Sequence, residues 1–311
     1  MTSVKKFTLK RIVVVIITAV VLFSALSFGA TKLIYDGIFQ RYDETVPVPA
    51  ALQTMVQQRQ TVSYPSGEYQ LTGHLYRSTQ GGGLVVWIPG FHAGADSYLW
   101  QIQSLLERGW SVFAFDPTGS CASEGKDQVG FAQILQDLEA TLKYVENTEY
   151  FGYNELVLLG HSRGGYAAAC ALQSGYKIDA VVTVSAVDST MDGVMSRAVE
   201  QAGPLVYGNY GFLWLYQTLL FGAQQVDLRA SDCVAASDVP VLVIHGAADR
   251  QVPMDRYSLI SHRDQITAPQ VQYLIWDQPG SSGHTDLLFD QQGRANADLM
   301  AQICRFLKQS T

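Results

Sequence analysis

A chain of 311 residues, 48% of them apolar, has room for one large or two small domains and ample material for a core. Its formal charge of -7, with no basic stripe, argues against a nucleic-acid partner. Four cysteines (Cys121, Cys170, Cys233 and Cys304) lie far apart without paired spacing, so neither a metal site nor a cofactor is expected and no disulfide is required.

The N-terminus departs from a soluble pattern. Lys5, Lys6, Lys10 and Arg11 precede an uncharged run from Ile12 to Ala30. As a helix that run rises ~28 Å, close to the hydrocarbon thickness of a bilayer. The cations in front of it place the N-terminus inside. The expected layout is a cytoplasmic segment 1–11, a signal-anchor in the lipid bilayer over 12–30, a juxtamembrane stalk over 31–60 and a domain over 61–311 on the far side of the cell membrane. A cleaved signal peptide, giving a secreted protein, is the rival. In the stalk, Leu33, Ile34, Ile38 and Phe39 have helical spacing until Pro47 and Pro49 break it.

Thr61 to Arg77 reads as a hairpin turning at Pro65-Ser66-Gly67. Leu84 to Ile88 is a short apolar strand ending at Pro89-Gly90. Strands and helices then alternate: helix Tyr98–Arg108, strand Ser111–Phe115, helix Phe131–Asn147, strand Leu156–Leu159, a helix from Gly165, strand Ala180–Ala186, strand Val241–Ile244, helix Asp255–His262, strand Val271–Trp276 and helix Ala295–Lys308. Continuous apolar strands separated by helices imply a largely parallel sheet covered on both faces, with reactive groups at the strand C-termini. The segment 188–232 breaks the rhythm. Rich in aromatic residues and poor in charge, it reads as a short helical cap whose Tyr207, Tyr210, Phe212 and Trp214 would line a substrate pocket.

The chemistry centres on Leu156–Tyr166, LVLLGHSRGGY. A buried strand, a sharp Gly-His-Ser-Arg-Gly turn and a small-residue helix make a nucleophile elbow that presents Ser162. Gly160 and Gly164 leave room where strand and helix touch. A serine needs a base. Of six histidines, His284 lies in the glycine- and serine-rich loop after the last strand, free to swing over Ser162. The base in turn needs a carboxylate. Asp249, after the strand ending at Ile244, gives the chain order Ser, Asp, His, while Asp277 and Asp286 are rivals. Two backbone N–H groups, of Arg163 and of Phe91 in the turn after the first parallel strand, would form the oxyanion hole.

With these motifs in order, the chain resembles the α/β-hydrolase superfamily over roughly Val62 to Leu307. The matching stretches are Pro89-Gly90-Phe91-His92, Gly160 to Gly165, Gly246 to Asp249 with Val252-Pro253, and Gly283-His284. Asp116 to Gly125 is similar to the family's glycine-rich loop, with Cys121 in place of its second glycine. The branch is similar to serine aminopeptidase-like and dienelactone-hydrolase-like members. The resemblance implies a mostly parallel sheet of about eight strands with helices on both faces and an acyl-enzyme formed on Ser162. The expected activity is hydrolysis of a carboxylic ester or thioester. A serine peptidase is the runner-up, with Asp188, Asp192, Glu200 and Asp227 either binding a substrate amino terminus or serving as solvated surface. A non-catalytic binding protein of the same fold is the reading from another class.

Overall fold

The computed structural model describes residues 2–44 and 46–310, and the side chains of all of these except 2–8, 150 and 202. The side chains of Lys5 and Lys6, half of the expected basic flank, therefore lie outside the described residues.

A single helix, α1 (Thr2–Ile38), opens the chain. Its stretch Leu9–Ile38 is long and apolar enough to cross a membrane, and most of its side chains are exposed. The helix does not stop where the uncharged run ends. Tyr35, Ile38 and the following Phe39 are buried against the rest of the protein. The stretch expected to be a stalk is thus packed down, and α2 (Gln53–Gln58), with the buried Leu52 before it, continues onto the domain.

Strands β1 (Gln60–Ser66) and β2 (Tyr69–Tyr76) form the expected hairpin, although Pro65 and Ser66 belong to the first strand and the turn is two residues long. There follow β3 (Gly83–Ile88), α3 (Leu99–Leu106), β4 (Ser111–Asp116), α4 (Gln133–Glu146), β5 (Glu155–His161), α5 (Arg163–Cys170) and β6 (Ala180–Val184). The cap contributes α6 (Thr190–Ala202), α7 (Tyr210–Phe221), α8 (Ala223–Val226) and α9 (Ala230–Ala235). Then come β7 (Val241–Gly246), β8 (Val271–Trp276) and α10 (Ala297–Ser310).

The eight strands form one sheet in the order β1-β2-β4-β3-β5-β6-β7-β8, parallel from β4 through β8 and antiparallel at β1 and β2. In β3, Leu84, Val86 and Ile88 face one core while Val85 and Trp87 face the other. That period of two with both faces buried is why the strand reads as an unbroken apolar run. α4, α5 and α9 cover the first face; α3 and α10 cover the second.

The helix expected over 255–262 is reduced to one 3-10 turn, Leu259–His262. Tyr257 adopts φ +63°, which no right-handed helix accommodates, and Pro253 stands just upstream.

Candidate active site

At the C-terminal edge of β5 the chain reverses sharply into α5. Ser162 sits at the corner with φ 55° and ψ -118°, a strained conformation for a residue with a side chain. Two contacts explain the glycines around it. A Cβ on Gly160 would lie 2.1 Å from the Gly164 carbonyl oxygen, and one on Gly164 would lie 2.2 Å from that of Ile88. Only bare backbone lets the turn close so tightly.

Loops after β7 and β8 bring two further groups to this corner. The Ser162 hydroxyl donates to His284 Nε2 at 2.9 Å. His284 Nδ1–H donates to Asp249 Oδ2 at 2.7 Å. Ser162, Asp249 and His284 are all buried. Asp249 Oδ1 accepts the backbone N–H groups of Gln251 and Val252, each at 2.9 Å. Burial alone would raise the Asp249 pKa, but hydrogen bonds from His245 and His284 hold it well below the ordinary carboxylate value. The rivals are exposed, Asp277 in the loop after β8 and Asp286 at the start of the 3-10 turn Asp286–Leu288.

Phe91 follows the Pro89-Gly90 turn at the end of β3, and Arg163 opens α5, where first-turn N–H groups have no partner within the helix. The two are neighbours in space: the Arg163 guanidinium lies over the Phe91 ring, 5.4 Å from its centre.

Three side chains that sequence reasoning gave no part in the site turn out to brace it. The Gly90 N–H donates to the Tyr98 hydroxyl oxygen at 3.0 Å. Tyr98 in turn donates to His161 Nδ1 at 3.0 Å, and His161 Nε2–H donates to the His284 carbonyl at 2.9 Å. The carbonyl can only accept, which fixes the tautomer. This chain ties the turn after β3 to the loop carrying His284. Burial, followed by repulsion from the His284 imidazole, pushes the His161 pKa down to about 3, so it remains neutral. His245 Nε2–H bonds the Val252 carbonyl at 2.9 Å and lies 3.3 Å from Asp249 Oδ2. In sequence, His161 and His245 had only their places at strand ends to mark them, and Tyr98 had no signal.

In the cap, Tyr207 and Tyr210 are half-exposed, Tyr207 sharing a hydrogen bond with the Tyr257 hydroxyl. Trp214 Nε1–H donates to Asp227 at 2.8 Å, and Phe212 is partly buried. Their neighbours Val206 and Leu213 line a small apolar cavity of ≈ 40 Å³ together with Tyr35 and Ile38 of α1. From there the chain runs directly to the candidate site. The Phe39 ring packs edge-on against Phe91 with centres 5.2 Å apart, and Tyr42 stacks on His92 at 5.4 Å. Arg41 fastens this segment by donating to the carbonyls of Cys121, Ser123 and Gly125. Cys121, at the place of the family's second glycine, takes φ +47°.

A family model described as serine aminopeptidase, S33, matches residues 80–206. The chain is similar to a Salmonella typhi protein known as uncharacterized protein YfhR, with 30% identity over 175 residues covering 52% of this chain and 53% of that protein. It thus spans about half the length of that curated relative. Among solved structures, an esterase of Pyrococcus furiosus superposes with a TM-score of 0.65 at 17% identity, covering 88% of this chain and 99% of that one. An acylaminoacyl peptidase of Pyrococcus horikoshii gives 0.57 at 16% identity, covering 81% of this chain and 41% of that one. Likeness at such identities is likeness of fold. Together with the elbow and the sheet order, these matches show that the chain has the fold of the α/β hydrolases, with a serine aminopeptidase-like match confined to residues 80–206.

Proposed function

We propose that the protein is a membrane-anchored serine hydrolase that cleaves a carboxylic ester or thioester. The observation that carries the chemistry is the contiguous pair of hydrogen bonds, Ser162 to His284 at 2.9 Å and His284 to Asp249 at 2.7 Å. In this reading Ser162 Oγ attacks the carbonyl carbon as His284 Nε2 takes the hydroxyl proton. The Phe91 and Arg163 N–H groups receive the developing oxyanion, and Asp249 stabilises the imidazolium. His284 then protonates the departing alcohol or thiol. Water, deprotonated by the same imidazole, releases the acid.

An aminopeptidase-like activity is the second reading, favoured by the family model over residues 80–206. Binding a free amino terminus needs an available carboxylate. In the cap, Asp188 is paired with Arg229 at 2.7 Å, Glu200 with Arg197 at 3.1 Å and Asp227 with Trp214 at 2.8 Å, while Asp192 accepts from Ser189. These engagements support the ester reading over the peptidase one.

The anchor reading rests on Leu9–Ile38, with mean hydropathy 2.7 over its most apolar window, and on a cap surface that exposes Leu205, Leu215, Leu219 and Leu220 beside it. The expected topology has the N-terminus cytoplasmic and the hydrolase domain outside. Recovery of the protein in carbonate washes would overturn this part.

The chemistry is tested with a fluorophosphonate label and a panel of p-nitrophenyl esters, acyl thioesters and aminoacyl p-nitroanilides. Labelling and ester turnover lost in Ser162→Ala are expected. Absence of labelling in folded protein would remove the hydrolase reading, and preference for the anilides would promote the peptidase.

A further inference from the structure

The side chain that follows Ser162 has no part in the chemistry above. Arg163 is 1% exposed, yet among the described residues its guanidinium makes no hydrogen bond and no ion pair, and its Nε is buried without a partner. The carboxylate acting on it most strongly, Asp137, is already occupied. Asp137 Oδ1 accepts from Ser66 at 2.9 Å, Thr118 Oγ1 at 2.7 Å and Gln133 at 3.0 Å, and Oδ2 accepts the Thr118 N–H at 2.8 Å. Burial pushes the Arg163 pKa down to about 10, opposed chiefly by Asp137, so the group stays charged at neutral pH. An unpaired buried cation is among the costliest groups a fold can carry. Stacking on Phe91 satisfies none of its donors.

The location suggests a use for it. The guanidinium lies over the Phe91 ring at 5.4 Å, and a second one, Arg197 from α6, approaches the same ring at 5.9 Å. Both therefore flank the turn after β3. His284 and Asp249 reach Ser162 from the loops after β8 and β7, on the other side of β5 in the sheet. In acyl transfer the leaving group faces the imidazole that protonates it. The acyl part therefore extends the opposite way, toward Phe91 and Arg163.

We propose that the substrate carries an anionic group, a carboxylate or a phosphate-type anion, on its acyl part, and that Arg163 is the residue that receives it. This rests on the reading of Ser162 as the nucleophile. A planar guanidinium fork matches such oxyanions with two parallel hydrogen bonds. Arg197 stands by the same ring but is already paired with Glu200, which leaves Arg163 as the guanidinium with donors to offer.

The test uses the full chain in detergent. In the acyl arm, p-nitrophenyl hemiglutarate is compared with its neutral methyl-capped counterpart, and p-nitrophenyl 4-phosphonobutyrate separates phosphate-type from carboxylate preference. In the leaving-group arm, the valerate ester of 4-hydroxybenzoate is compared with its methyl ester. Wild type is expected to favour an anionic acyl chain by about 10- to 100-fold in kcat/KM, the range for a hydrogen bond to a charged group. Arg163→Met should bring that ratio close to one, and Arg163→Lys should leave an intermediate value. The thermal midpoint of Arg163→Met should hold or rise, because an unpaired charge leaves the interior; a structural cation would make it fall. A wild-type ratio near one, a ratio unchanged in Arg163→Met, or a preference confined to the leaving-group arm would overturn the proposal. The wild-type ratio keeps the test decisive even if Arg163→Met does not fold. Turnover of neither ester, or turnover surviving Ser162→Ala, would strike the nucleophile reading instead.

Discussion

Consider the replacement Asp249→Asn. Two backbone N–H groups, of Gln251 and Val252, donate to Oδ1 at 2.9 Å. They will hold the amide oxygen of an asparagine in that place, because an NH2 there would meet two donors. The amide nitrogen must then occupy the Oδ2 position, 2.7 Å from His284 Nδ1 and 3.3 Å from His245 Nε2. An NH2 group only donates, so His284 must present a bare Nδ1 and move its proton to Nε2. There it faces the Ser162 oxygen at 2.9 Å as a donor and can no longer accept the hydroxyl proton. A wrong tautomer of this kind costs about 10⁴-fold in kcat, or about 5.4 kcal/mol of barrier. The fold should persist, since shape and both backbone contacts are kept. The assay is p-nitrophenyl ester turnover at neutral pH, with a melting curve to show that the variant is folded. Turnover within about tenfold of wild type, with Asp277→Asn falling instead, would refute the reasoning.

Gly164→Ala should be poorly tolerated. Its Cβ would lie 2.2 Å from the Ile88 carbonyl oxygen and 2.6 Å from that of Pro89, backbone that cannot swing aside, so a loss of about 3 kcal/mol is expected, at the upper end for overpacking. A melting temperature within about 2 °C of wild type would contradict it. His161 links pH to stability. Its folded pKa is about 3 against an ordinary 6.5, so the unfolded chain binds a proton that the folded one refuses over that window. This contribution to stability is complete above pH 6.5 and is lost as the pH falls toward 3. In His161→Gln, proton uptake on unfolding at pH 5 should therefore be lower by about one, measured from the pH dependence of the unfolding free energy. Arg41→Ala removes the donors to three loop carbonyls, and limited proteolysis should then cut between Phe39 and Asp43 faster than in wild type; an unchanged cutting rate would show that the ring contacts alone hold the segment.

The elbow was legible because its constraints are local: a buried run, two glycines at points of contact and a serine between them. Ser162, Asp249 and His284 were legible as a set because chain order and sheet topology constrain which loops can meet. Other features depend on partners distant in sequence. The spacing of Leu33, Ile34, Ile38 and Phe39 announced an amphipathic helix but not the surface that would receive it. In the cap, composition identified the segment, yet α7 is apolar all round and offers no polar face to orient it. Leu213 of α7 borders the small cavity beside α1. The short turn at Leu259–His262 depends on the backbone of Tyr257, which periodicity does not reveal. Arg163 reads as an ordinary polar residue in a turn. Only the packing around it shows a charge shut away from water.

The docking of α1 also bears on which molecules the protein can meet. From Ala30, at the end of the uncharged run, to Ile38 the helix climbs ~12 Å, and its next residue already touches the turn that carries Phe91. Under the anchored reading, the reaction centre hangs at a set height over the headgroups, without a tether on which to roam. Compounds that linger at the bilayer surface would pass through that thin layer constantly, while those dissolved in the bulk would visit it rarely. Selection would then begin with where a molecule dwells, before any atom of it reaches Ser162.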